Sequence, residues 1–236
     1  MPTVSARALA AVPAVAIGIV VAVVITIVVH PLAGLALAVV SASAVLWLLR
    51  ARATPSALSV LGAVPLPEGV EPRLESLVES VCASHGITEP TLHLVATDAV
   101  DAAVVGRPDD THLVVTRGLL DRLDRLELEA VVARQLSLFG SGVEAATVLA
   151  STASWVGPLG ETIRGRLLDE RRLARADFDA VAVTRYPPAL ASALTKAADG
   201  LRVGHADRAD HLWMVGSGAS SIQPDVSERV DALREL

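Results

Sequence analysis

From Ala8 to Leu49 the chain carries no Asp, Glu, Lys or Arg. No other feature limits its folding choices as much. Ala8 to Val29 spans roughly 22 residues, enough to cross the roughly 30 Å hydrocarbon core of a bilayer as a helix. His30 and Pro31 form a short polar break, and Pro31 to Leu49, roughly 19 residues, can return. A cleaved signal peptide fits less well, because its apolar region runs roughly 7–15 residues and no second span follows it directly. The pattern therefore predicts a two-helix transmembrane hairpin over residues 1–52. Arg7 precedes the first span, Arg50 and Arg52 follow the second, and the turn between them has no basic residue. The positive-inside rule then places both ends, and the main domain, in the cytoplasm of a multi-pass protein in the cell membrane. Trp47 suits the interfacial belt.

Beyond the hairpin the composition changes, and the remaining chain is charged enough to fold in water. The net charge of −6 excludes a basic nucleic-acid-binding face as the organising feature. Lys196 is the only lysine among many arginines, a composition that suits a GC-rich bacterial genome. Cys82 is the sole cysteine, so no internal disulfide can form. Cys82 and His85 could be read as a nucleophile pair, but a small core thiol near a helix end is the simpler reading.

Residues 53–71 hold Pro55, Pro65 and Pro67 and read as a linker along the membrane surface. The domain proper is expected over residues 72–236. LESLVESVCASHG has apolar residues at helical spacing and a closing glycine. Thr91–Ala96, Ala102–Val105 and His112–Thr116 read as short strands, with a polar turn over Arg107–Asp110. Residues 142–159 are apolar apart from Glu144 and predict a buried or membrane-surface helix. Residues 161–179 predict a charged helix, and TRYPPALASALTKAADGL a helix that starts at its prolines. Ser192 and Lys196 sit one turn apart, which suits an exposed polar face better than a Ser-Lys nucleophile pair. Gly216–Ser221 is a Gly/Ser stretch, and QPDVSERVDALREL closes the chain. The histidines are scattered, with no pair at the i, i+4 spacing of helical zinc ligands, although His93 and His112 on strands could approach each other.

The chemistry concentrates in LELEAVVARQLSLFG, Leu126 to Gly140. Asp124 and Glu127 form a capping-box pattern, and Gly140 and Gly142 mark an end. The positions between are mostly apolar, so the helix should be enclosed. Arg134 and Gln135 break that rule. A charge so placed is costly unless paired, and Arg134 needs a partner.

The run HLVVTRGLLDRLDRLELEAVVARQLSLFGSG resembles the core of the HtpX-type membrane zinc metallopeptidases. Val115, Thr116, Gly118, Leu119 and Leu120 match that family's strand-to-helix turn. Glu127, Ala133, Leu136 and Ser137 match the helix that carries its His-Glu-x-x-His motif. Ala176 and Asp177 match a later Ala-Asp pair. Gln223, Pro224 and Arg229 align with a closing His-Pro-x-x-x-x-Arg segment, Gln223 standing where the histidine would be. The resemblance implies an α+β, zincin-like domain of the gluzincin type, mostly helical with a small sheet.

The resemblance also shows where this chain departs. The family's two histidines fall on Arg134 and Leu138, its glutamate on Gln135, and its third zinc ligand on Leu173. Glu170, about one turn away from Leu173, reads as a solvated charge. Two histidines at i and i+4 share a helix face and can both reach zinc, while the intervening glutamate takes a proton from the bound water. Guanidinium has no free lone pair, leucine has no donor, and glutamine cannot act as the base. Zinc and any other cofactor are therefore expected to be absent. Asp177, which in the family supports the histidine side of the metal, is expected to bridge Arg134, or else to cap a local turn while Arg134 reaches solvent. Asp101, Ala102, Ala103 and Val104 fall where the family's edge strand receives peptide, so an edge-on peptide site is a further expectation.

Three functions compete. One is a catalytically inactive, membrane-anchored pseudopeptidase that binds or regulates a partner: a membrane or unfolded protein, or an active relative. A second is an active metalloendopeptidase with relocated ligands. A third is a structural membrane protein.

Overall fold

The computed structural model describes residues 19–20, 23–24, 31–139, 143–156, 170–203, 209–217 and 225–236. The chain divides into two compact units, Met1–Ala51 and Arg52–Leu236.

In the first unit, most of the expected first span lies outside the described residues. The second expected span is helical and belongs to α1, Pro31–Leu61. This helix has an apolar stretch of mean hydropathy 1.6, long enough to cross a membrane. Leu46, Trp47 and Leu49 on it are exposed. A helical hairpin is not described, and the structure carries one such apolar helix among the described residues.

The helix also runs past Leu49, into residues 53–61, where the sequence suggested a linker. Pro55 lies inside it. Proline removes one backbone donor, yet the Ala- and Leu-rich neighbours favour helix, and Ala53, Ala57 and Leu61 are buried. The helix stops at Gly62, whose φ of +66° is left-handed.

In the second unit a four-stranded sheet has the order β1-β2-β4-β3. The strands are β1 Val64–Pro65, β2 Thr91–Val95, β3 Ala102–Arg107 and β4 Asp110–Thr116. β2 runs parallel to β4, with His93 opposite Val114, and β3 pairs antiparallel with β4, with Ala102 opposite Val115. The β3–β4 turn needs Gly106, at φ +122°, because a Cβ there would meet the Asp110 carbonyl oxygen at 2.1 Å.

Helices pack on the sheet. α2 is Pro72–His85, closed by Gly86 in the left-handed conformation as its sequence suggested. α3, Arg117–Arg122, follows β4 directly, and the Thr116 side chain caps it. α4 is Arg125–Ser137, α5 Val143–Val156, α6 Glu170–Thr184, α7 Pro187–Asp199 and α8 Val226–Arg234. Val143, Ala146, Thr147 and Ala150 on α5 are buried. The main core joins α2, α4, α7 and one sheet face through Leu74, Leu113, Leu128, Leu136, Leu190 and Leu194. Cys82 lies in this core, and burial, with Glu89 nearby, pushes its thiol up to about 11. It is an inert core residue.

Candidate functional site

α4 is the central helix of the site. Its start is the capping box read from the sequence. Asp124 accepts from Glu127 N–H at 2.9 Å, and Glu127 returns a bond to Asp124 N–H at 2.8 Å. Glu127 also receives Ser192 Oγ–H at 2.6 Å, and Lys196 Nζ lies 2.7 Å from its carboxylate. Burial opposes ionisation of Glu127, but the Lys196 and Ser192 hydrogen bonds prevail and hold its pKa below the usual glutamate value. Ser192 and Lys196 therefore dock α7 onto the start of α4 and form no nucleophile pair.

α4 ends earlier than its sequence suggests. Leu138 is its C-cap, in right-handed helical conformation, with its N–H on Gln135 O. Gly140 and Gly142, the expected terminators, lie outside the described residues. Leu138 is buried with Val104, Val143 and Ala176.

Arg134 is 1% exposed and does have its partner. Its Nε donates to Asp177 Oδ1 at 2.9 Å, from α4 to α6. The alternative, Arg134 in solvent with Asp177 capping a turn, is excluded. The carboxylate serves two cations: Arg229 on α8 donates through Nε to Asp177 Oδ2 at 2.7 Å and through Nη2 to Oδ1 at 2.8 Å. Arg229 Nη1 then reaches Met214 O at 2.9 Å. Burial opposes charge on Asp177, but Arg229 and then Arg134 outweigh it and hold its carboxyl below the ordinary range. Gln135 Nε2 donates to Ala102 O at 2.5 Å, and its Oε1 receives Arg134 Nη1 at 3.3 Å. Leu173 and Glu170 lie on α6, and their side chains are outside the described residues.

The expected edge residues play separate roles. β3 is the terminal strand of the sheet, and Ala102, Ala103 and Val104 belong to it. Asp101 precedes it. The Asp101 carboxylate is buried and accepts the backbone N–H groups of Ala102, Met214, Val215 and Gly216. Burial pushes its pKa up to about 6, against the pull of those four donors. His93 and His112 do meet, with ring centroids 5.1 Å apart and edge to face. His93 is buried, which lowers its pKa, and His112 Nε2 lies 3.1 Å from Asp110 Oδ1.

Sequence reasoning missed two participants. Arg229 was visible only as a matched position near the end of the chain. Asp101 was read as part of a strand, although an isolated carboxylate before an apolar strand could have been read as a backbone anchor.

Zinc, implied by the resemblance, is a poor fit to these residues. The Arg134 guanidinium is a donor throughout, the Gln135 amide is engaged at both ends, and Leu138 offers no donor atom. Two buried guanidinium groups already share one carboxylate there, so a dication would add repulsion. Among the described residues no three His, Cys, Asp or Glu side chains are grouped to hold a metal.

The class that emerges is a helix-and-sheet domain that follows an apolar helix in the chain, with a buried arginine–aspartate–arginine cluster beneath the edge strand. No family model matches the chain. Curated proteins named "Protease HtpX homolog" do match it. One from Dictyoglomus thermophilum is 31% identical over 53% of this chain and 54% of its own length. One from Tropheryma whipplei strain Twist is 26% identical over 76% of this chain and 78% of its own. One from Aquifex aeolicus is 33% identical over 42% and 34% respectively. The chain is thus similar to HtpX-type protease homologues from several bacteria. It aligns with about half the length of the Dictyoglomus thermophilum relative.

Proposed function

We propose that this chain is a membrane-anchored, catalytically inactive member of the HtpX-type protease family, a pseudopeptidase that holds or regulates a protein partner. The observation that carries this reading is the Arg134–Asp177–Arg229 cluster, with Gln135 tied to Ala102. Hydrolysis by a zinc peptidase needs an open metal position and a base that can take a proton from water. Here the aligned positions hold a guanidinium, an amide and a hydrocarbon, each engaged in packing or hydrogen bonding. The domain keeps the zincin-like scaffold in this reading, and zinc is no part of it. The apolar helix supports anchoring in the bilayer, and the charge bias of the termini supports a two-span hairpin with a cytoplasmic domain. Partners of the expected kind are an unfolded or membrane protein, or an active relative.

Metal analysis and peptidase assay of the purified full chain test this reading. The expected result is sub-stoichiometric zinc and no chelator-sensitive cleavage of casein. Restoring the ligands by Arg134→His, Gln135→Glu, Leu138→His and Leu173→Glu together should bring zinc binding back. Stoichiometric zinc in the unmodified chain, or chelator-sensitive cleavage lost on Gln135→Ala, would instead establish an active enzyme with relocated ligands.

A further inference from the structure

The outward edge of β3 is closed by the chain itself. Trp213 forms an antiparallel bridge with Ala103, and Met214 N–H donates to Ala102 O at 2.8 Å. Met214, Val215 and Gly216 then direct three successive N–H groups at the Asp101 carboxylate, at 2.9, 3.2 and 2.8 Å. Gly216 makes that curl possible. Its φ is +62°, and a Cβ there would meet Asp210 Oδ1 at 2.6 Å. At the other end of the strand, Gly106 N–H donates to Thr147 Oγ1 of α5 at 2.9 Å.

We infer that residues 209–217, a 3-10 turn at Asp210–Leu212 followed by the Trp213 bridge and a bend, are a strap across the outer edge of β3, and that the buried charges latch it there. Asp101 holds the strap by its N–H groups, and Arg229 holds it by the Met214 carbonyl. A single bridge between two residues would be a weak attachment. Consecutive N–H groups around one carboxylate make an anion-binding concavity, and charge-assisted bonds are roughly twice as strong as neutral ones. Arg229 also carries the Asp177 carboxylate, so the cluster beneath the strand and the strap above it share one side chain. An unpaired strand edge is a template for another chain, and the strap removes that template at Ala102 and Ala103. This contact is autoinhibitory in form: another strand can pair at those residues only after the strap lifts. The inference stands apart from whether the chain cleaves peptides or binds zinc.

Amide hydrogen exchange of the full chain in detergent micelles tests it. Arg229→Lys keeps a charge near Asp177 but loses the planar fork whose Nε and Nη2 hold Asp177 while Nη1 reaches Met214 O. The expected result is exchange at Met214, Val215 and Gly216 faster by about tenfold or more, with Leu113–Val115 of β4 unchanged. Arg134→Leu touches Asp177 and Gln135 but no strap atom, and should leave the strap amides at their original rates. Gly216→Ala strikes the strap directly and should speed exchange at Met214 and Val215 in the same way, giving a second reading if Arg229→Lys fails to fold. Unchanged strap amides in the folded variants, an equal rise throughout β4, or an equal rise in Arg134→Leu would overturn the inference.

Discussion

Asp177→Asn should be far more damaging than Arg134→Leu, although both break the same 2.9 Å contact. The asymmetry comes from what each change leaves behind. Asn at 177 leaves two buried guanidinium groups facing a neutral amide. Removing one member of a buried ion pair costs about 3–5 kcal/mol. For a unit the size of Arg52–Leu236, each kcal/mol moves the thermal midpoint by about 2–4 °C, so the loss should be about 6–20 °C. Leu at 134 leaves Asp177 with the two Arg229 bonds at 2.7 and 2.8 Å. It also removes Arg134 Nη2, a buried nitrogen that finds no hydrogen-bond partner among the described residues. Asp177 thus keeps a bidentate counter-charge and no uncompensated charge stays buried, so the loss is mainly that of the Arg134 hydrogen bonds, including its donation to Gln135 Oε1, about 1–2 kcal/mol. Thermal unfolding of both variants in the same detergent, followed by circular dichroism, makes the comparison. Equal losses, or a larger loss in Arg134→Leu, would refute the view that Arg229 carries the carboxylate and Arg134 is the lesser partner.

Three further outcomes follow from other contacts. The pKa of Asp101 is raised in the fold, so its contribution to stability is full below the unfolded value, near 3.8, and is lost as pH rises through about 6. Between pH 7 and pH 5 the native chain should gain about 1 kcal/mol relative to Asp101→Asn, read from urea unfolding at the two values, and parallel pH profiles would contradict this. The term from Asp177 has the opposite sign: its depressed pKa gives stability above the ordinary carboxylate value that is lost as pH falls through the folded one, so it contributes little to that interval. Glu127→Ala removes a helix cap and the Ser192 hydrogen bond, for an expected loss of about 2 kcal/mol in the same assay. Lys196, 41% exposed, should add little to that figure. Gly118→Ala would put a Cβ 2.2 Å from the Asp98 carbonyl oxygen and should cost about 1–3 kcal/mol, seen as a lower unfolding midpoint.

Much of the architecture was legible because it is set by near neighbours. The capping box of Asp124 and Glu127, the left-handed Gly86, the proline start of α7 and the strand–turn–strand of β3 and β4 are patterns within a few residues. The linker was misread for a related reason. Pro55 looked like a boundary, but Ala53, Ala57 and Leu61 share a buried face, and burial of that face outweighs the loss of one helical hydrogen bond. That outcome depends on what the face packs against, which proline counting does not contain.

By itself the sequence determined the chemistry of the site: an arginine, an amide and a leucine stand at 134, 135 and 138, and their atoms limit what they can bind wherever they fold. It also determined that Arg134 required a counter-charge and that Asp177 was a candidate. Only the tertiary structure decided that Asp177 answers two arginines, one 43 positions away and one 52. It likewise decided that Asp101 spends its charge on a backbone more than a hundred residues later, 113 to 115 positions on, closing the strand beside it. Local spacing sets which groups share a helix face or a turn. Which buried charges find one another is settled by packing between distant segments, where the cost of an unpaired ion decides the outcome.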